Sequence, residues 1–133
     1  MPLTIGTVTS VAIQPGAVEV TPAVTPMQVL YLEATGGKYG LCVANDTAKD
    51  KPAFLSFAPA AALGQCCVLK NGDKVNLGVI LVEGQTYYMG RTAGSIVLYT
   101  ELATPDAAVR VLYAETTSIA VVDIADLTTD IIL

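Results

Sequence analysis

The sequence predicts an all-β protein, an antiparallel sandwich or barrel of about ten short strands with at most one short helical turn. Three observations lead there. First, residues 65–100 alternate short runs rich in Val, Leu, Ile and Tyr with glycines at Gly72, Gly78, Gly84, Gly90 and Gly94, the rhythm of consecutive strands joined by tight turns. Second, Asn71-Gly72 lies between two strand-like runs, the favoured pair for a two-residue hairpin. Third, 53% of the 133 residues are hydrophobic and only 14% are charged, so the chain has apolar surface for two packed layers and some left over.

Taken in order, residues 4–13 are β-prone, with Val8, Val11 and Ile13 set among small polar residues. Pro15-Gly16 and the phrase VTPAVTP (residues 20–26) follow, and the Thr-Pro steps bias the backbone to extended or polyproline conformation. Residues 1–27 are therefore read either as an arm lying on a neighbour or as the first strands of the domain, and residues 28–133 as the β-domain proper. Residues 28–33 form a strand, Thr35-Gly36-Gly37-Lys38 a turn, and residues 39–44 the return. Residues 45–51 are a polar loop and residues 53–57 a short apolar strand. The alanine run of residues 59–64 is long enough for one helical turn.

Around Asn71-Gly72 a type I′ hairpin fixes a register: Lys70 faces Asp73, Leu69 Lys74, Val68 Val75, Cys67 Asn76 and Cys66 Leu77. Cys66, Val68, Val75 and Leu77 then share the core face, and Cys67, Leu69, Lys74 and Asn76 the other. Further strands are expected at residues 79–82, 86–89, 95–99, 108–115 and 118–124, the last two as a hairpin about Thr116-Thr117. Those two runs are apolar on nearly both faces, which implies cover on both sides. A neighbouring subunit is the expected second cover. The candidate interface is accordingly Val8, Val11, Ile13, Val20 and Val24 at the N-terminus with Val111, Tyr113, Ile119 and Val121 near the C-terminus.

The net charge of −5 argues against nucleic-acid binding by a broad basic face. Lys38, Lys49, Lys51, Lys70 and Lys74 crowd the middle third, whereas Glu101, Asp106, Glu115, Asp123, Asp126 and Asp130 make the last third acidic. Such a distribution is a solvated surface, or a head-to-tail match between subunits. The cysteines Cys42, Cys66 and Cys67 have no framework spacing and read as reduced thiols made in a cytosol. No basic n-region opens the chain, so no signal peptide is read. Residues 52–69 are uncharged, but Pro52, Pro59 and Gly64 break them into strand, turn and strand, not a membrane span.

No catalytic residue, metal ligand or cofactor site emerges. Histidine is absent, and no G-x-S-x-G elbow is present to activate a nucleophile. Adjacent residues of a strand point to opposite faces, so Cys66 and Cys67 share neither a zinc nor a disulfide. Asp123, Asp126 and Asp130 lack the glycine and alternating ligands of a calcium loop. Gly37-Lys38 lacks the upstream glycine of a phosphate loop.

One resemblance is visible in the order of phrases. VLYLEATGGKYGLCVAND (residues 29–46) precedes AFLSFAPAAALGQCCVL (residues 53–69), NLGVILVEGQTYYMGRTAGSI (residues 76–96) and VRVLYAETTSIAVVDI (residues 109–124). Over about residues 28–124, roughly three-quarters of the chain, this resembles the small decoration, or cement, proteins of tailed bacteriophage heads. Leu112-Tyr113 stands where those chains have Leu-Gly, and Gln65-Cys66 where they have Gln-Pro; the N-terminal region is not matched. The resemblance implies a homotrimeric, non-enzymatic β-protein. It would be made in the bacterial host cytoplasm and sit on the outer capsid surface of the virion. There it would bind the major capsid protein and stabilise the shell, with no nucleic-acid or membrane partner. The alternatives are the base domain of a phage head fibre or tail component and, from another class, a carbohydrate-binding module. The absence of Trp weakens the latter, and exposed Tyr87, Tyr88 or Tyr99 on one flat face would restore it.

Overall fold

The computed structural model describes residues 3, 5–14, 16–34, 36–103, 106–124 and 130–131, the last two by backbone alone. Its strands are β1 (Thr9–Ala12), β2 (Ala17–Glu19), β3 (Val29–Leu32), β4 (Tyr39–Leu41), β5 (Phe54–Ser56), β6 (Gln65–Leu69) and β7 (Lys74–Asn76). β8 (Thr86–Met89), β9 (Ile96–Val97), β10 (Ala107–Ala108), β11 (Arg110–Ala114), β12 (Ile119–Val122) and β13 (Asp130–Ile131) complete the set. Six strands form one sheet in the order β1-β7-β12-β11-β8-β9, five form a second in the order β2-β6-β5-β3-β4, and β10 pairs with β13. The fold is thus all-β and antiparallel, with thirteen short strands among the described residues and one 3-10 turn at Tyr99–Glu101.

The main core lies between the two large sheets. Val29, Leu55 and Leu69 meet Val75, Leu77, Tyr87, Met89, Val111, Leu112, Ala114, Ala120 and Val122 there, all buried. A second, smaller core covers the other face of the five-stranded sheet. Leu30, Cys66 and Val68 point into it, and the cover comes from Val20 and Val24 of the N-terminal segment, with Val18, Tyr39, Leu41 and Phe54 around them. Backbone bonds fix that cover: Val20 N donates to Gly64 O at 3.0 Å and Val24 N to Ala60 O at 2.9 Å. The strands buried on both faces are therefore those of the five-stranded sheet. Val29 and Leu30 are adjacent and both fully buried, as are Val68 and Leu69 within a few per cent.

The predicted β6–β7 hairpin is the main correction. Cys66 and Val68 do not face Leu77 and Val75, because β6 pairs with β2 and β5, and β7 with β1 and β12. The chain crosses from one sheet to the other at Asn71-Gly72. Gly72 has φ 91° while Asn71 is not among the positive-φ residues, the pattern of a type II and not a type I′ turn. Asp73 N bonds Lys70 O at 3.0 Å across it. A type II turn does not match the twist of a two-stranded ribbon, which frees the flanking strands to enter different sheets. Leu69, expected outside with Cys67, is buried in the main core for the same reason. Cys66 buried and Cys67 exposed agree with the expectation.

Two local expectations also change. Residues 79–82 form no strand; Leu81 is buried in the core with Val79 packed against it, and the Leu81 N–H bonds Thr117 O at 2.8 Å. The helical turn falls at Tyr99–Glu101 and not in residues 59–64, where Leu63 takes φ 62° and Gly64 closes a turn on Ala61. The Gly36-Gly37 hairpin forms as expected, with both glycines at positive φ and β3 paired to β4; Thr35 lies outside the described residues. The β11–β12 hairpin about Thr116-Thr117 also forms, with Tyr113 opposite Val121. The two-faced look of β11 comes from a bulge between Arg110 and Leu112, which turns both Val111 and Leu112 inward.

Candidate functional site

The outer face of the six-stranded sheet is the surface where sequence-predicted residues gather. Parity along each strand decides who faces out. In β8 the inward pair is Tyr87 and Met89, so Thr86 and Tyr88 face outward. In β11 Leu112 and Ala114 point in and Tyr113 out; in β12 Ala120 and Val122 point in, leaving Ile119 and Val121 half-buried on the outside. Register then sets the neighbours. Tyr88 lies opposite Arg110, Tyr113 opposite both Thr86 and Val121, and Val121 opposite Lys74. Tyr99, in the 3-10 turn after β9, meets Tyr88 edge to face with ring centroids 5.4 Å apart.

Two ion pairs lie across this face. Arg110 Nε is 2.9 Å from Asp123 Oδ2, and Lys74 Nζ is 2.9 Å from Glu115 Oε2. Each is solvent-exposed and contributes about 0–1 kcal/mol, so their effect is to set local charge, not to hold the fold. Arg91 Nε also reaches the buried Asp106 Oδ1 at 2.8 Å. The basic middle and acidic last third of the sequence therefore meet within one chain. Of the three aspartates set aside as calcium ligands, Asp126 lies outside the described residues, Asp130 is described by backbone alone, and Asp123 is paired with Arg110. No cluster of three acidic, Cys or His residues that could hold a metal occurs among the described residues.

The nine candidate interface residues fall into three groups. Val20, Val24 and Val111 are buried within the chain's own cores, at 0%, 3% and 0% exposure, and present nothing to a neighbour. Their apolarity reflects internal packing. Val8 and Ile13 are half-buried against the main core, and Val11 is exposed on β1. Tyr113, Ile119 and Val121 share the outer face just described. The sheet order places β1, which carries Val11, on the same sheet as β11 and β12 with β7 between β1 and β12, although the sequence separates them. Residues 9–12 and 17–19 are strands of the chain's own sheets: Thr9 pairs with Asn76, and Ala17 with Cys67.

A second exposed feature escaped the sequence reading. In the loop 78–84, Ile80 is 90% and Val82 67% exposed on either side of the buried Leu81. The loop's base is tight. Gly6 N bonds Leu77 O at 2.8 Å, and a side-chain carbon on Gly78 would come within 2.5 Å of the Thr7 nitrogen, at a φ of 71° that already favours glycine. The missing signal was the Gly78/Gly84 spacing, which brackets a loop and not a strand.

The thiols offer no nucleophile in the cores. Burial, with Asp50 nearby, pushes Cys42 up to about 12, and burial also raises Cys66, whose thiol faces Ala58 O at 3.4 Å. Burial likewise raises the Tyr87 phenol, partly offset by a backbone bond with Val82. Cys67 is exposed beside a cavity of about 210 Å³ lined by Ile13, Gln14, Gly16, Phe57 and Val68. No described helix is long and apolar enough to cross a membrane. No family model, curated protein or solved structure matches the chain.

Proposed function

We propose that this chain is a structural, non-enzymatic virion protein that binds the outer surface of a bacteriophage capsid shell and reinforces it, acting as an oligomer. The phrase order over residues 29–124 supports this reading. So does the way polar chemistry is used: Asp73 caps Lys70 N at 2.8 Å, Asp106 accepts from Ala103 N and Arg91, and Ser56 bridges Gln28 N and Thr25 O. These groups fasten loops to sheets.

The observation that carries the reading is the exposed aliphatic pair Ile80 and Val82. A side chain that is 90% exposed gains nothing in the monomer and suits insertion between capsid subunits. Mixing the purified protein with undecorated shells of its parent phage and sedimenting them tests this. Native protein is expected to pellet with the shells. The double variant Ile80→Asp, Val82→Asp is expected to lose binding by about tenfold or more with an unchanged denaturation midpoint. No binding by native protein would overturn the capsid reading, and density on the tail of the intact particle would favour the fibre or tail-component alternative.

A further inference from the structure

We propose that the outer face of the six-stranded sheet, at Tyr88, Tyr99, Tyr113, Arg110 and Asp123, is a binding platform for a neutral saccharide. The geometry starts from the sheet. β8 and β11 are adjacent, and their outward residues Tyr88 and Arg110 are direct partners. Tyr113 lies diagonally from Tyr88, because its own partner on β8 is Thr86. Residues two apart on a strand are about 7 Å apart, which sets Tyr113 along the surface from the edge-to-face pair of Tyr88 and Tyr99.

Each part matches the chemistry of a sugar. A pyranose presents a C–H face that packs on an aromatic ring, and a rim of hydroxyls that need donors and acceptors. Tyr99 and Tyr113 are 53% and 39% exposed and supply ring surface. None of the three phenol hydroxyls is hydrogen-bonded to another described residue, so all are available to sugar hydroxyls. Arg110 and Asp123 are each about half exposed, at 46% and 48%, so a ligand can use their free edges without breaking the pair.

Charge selects the class. Arg110 with Asp123, and Lys74 with Glu115, sum to zero on this face. The whole chain carries −5, which disfavours an anionic polymer. Of the large exposed aliphatics, Leu32, Leu63, Ile80 and Val82 lie in loops or on the other sheet and Val11 lies on β1 at the far edge of this one, with Ile119 and Val121 half-buried on β12, whereas the exposed aromatics Tyr99 and Tyr113 lie about β8 and β11. This platform and the Ile80/Val82 loop are different parts of the surface, so either property can fail without the other.

With no Trp in the chain, intrinsic fluorescence comes from its six tyrosines, and titration can be followed without a label. The probes are soluble neutral hexasaccharides: cellohexaose, N-acetylated chitohexaose and maltohexaose. Saturable change with at least one is expected at up to millimolar concentration. Tyr99→Ala and Tyr113→Ala should each weaken it by about tenfold, Tyr113→Phe should retain it, and Ile80→Ser should leave it unchanged. A matching denaturation midpoint shows that each variant is folded; if Tyr113→Ala is not, Tyr113→Phe and Tyr99→Ala still decide. No response to any of the three probes overturns the proposal. So does binding that survives both alanine variants, or equal binding of an oligogalacturonate of the same length. Loss of oligomer mass in Tyr113→Ala without saccharide binding would make the face a protein interface and also overturn it.

Discussion

At the scale of single residues, Asn71 matters through its side chain and not through the turn type first expected of it. Its Nδ2 donates to Ile124 O at 3.0 Å, and its Oδ1 accepts from Ile124 N at 2.6 Å. One amide thus ties the crossing between the sheets to the end of the β12 strand. Asn71→Ala is expected to lower stability by about 1–2 kcal/mol, read from the denaturation midpoint, with Asn71→Asp intermediate because it keeps the acceptor. An unmoved midpoint in Asn71→Ala would show the clamp to be inert. Cys42 gives a pH signature. Its folded value of about 12 exceeds the ordinary 9.0 because burial, and secondarily Asp50, disfavours the thiolate. The folded state therefore holds the proton that the unfolded state releases, so this contribution is intact below pH 9 and is lost as pH rises toward 12. Wild type should lose stability more steeply than Cys42→Ala across that window, and parallel slopes would refute the assignment. Tyr31 and Tyr87 shift in the same direction but are common to both proteins.

At the scale of elements, the N-terminal segment joins the two sheets from the outside. β1 adds to β7, β2 adds to β6, and Val20, Val24 and Met27 are buried. A truncation starting at Gln28 would expose Leu30, Cys66 and Val68 on one side and the β7 edge on the other. It is expected to lose cooperative unfolding, measured by circular dichroism in denaturant; a fully cooperative transition with native midpoint would mean that the segment is dispensable. Elements were legible in the sequence wherever turn chemistry was local. Gly36-Gly37 and Thr116-Thr117 marked real hairpins, and the runs at β3, β5, β6, β8 and β12 stand close to where alternation placed them. Pairing across Asn71-Gly72 was not legible. An Asn-Gly step sets a backbone bend, but whether its arms pair depends on competitors far along the chain, here β1, β2, β5 and β12. The tyrosine platform was half legible. Thr86 and Met89 give the parity that turns Tyr87 in and Tyr88 out, yet the proximity of Tyr99, Tyr113 and Arg110 comes only from sheet order.

At the scale of the whole molecule, exposed apolar surface is distributed in distinct places: Ile80 and Val82 in one loop, Val11 on β1, Tyr99 and Tyr113 on the outer sheet face. β1 is the open edge of its sheet, exposed along all four residues and uncharged, whereas the opposite edge at β9 receives a bond from Leu3 N to Ile96 O at 2.7 Å. An unprotected, uncharged edge favours association. Light scattering at micromolar concentration is therefore expected to give a mass above that of one 13.8 kDa chain, with three chains the outcome that the phage resemblance implies. A monomer at that concentration would leave assembly to the shell surface alone.

The pairing of β1 with β7 and of β2 with β6 also sets a sequence of events during synthesis. The segment made first has no partner until residues 65–76 have emerged, so it must wait as unpaired backbone while the chain grows. Long-range closure of this kind is slow, and a waiting strand is prone to wrong partners. Pro22 and Pro26 lie just behind β2 and have no N–H to offer a ladder. The Thr-Pro phrase thus bounds the early segment on its C-terminal side, because a ladder begun at β2 cannot run on through residues that lack an N–H.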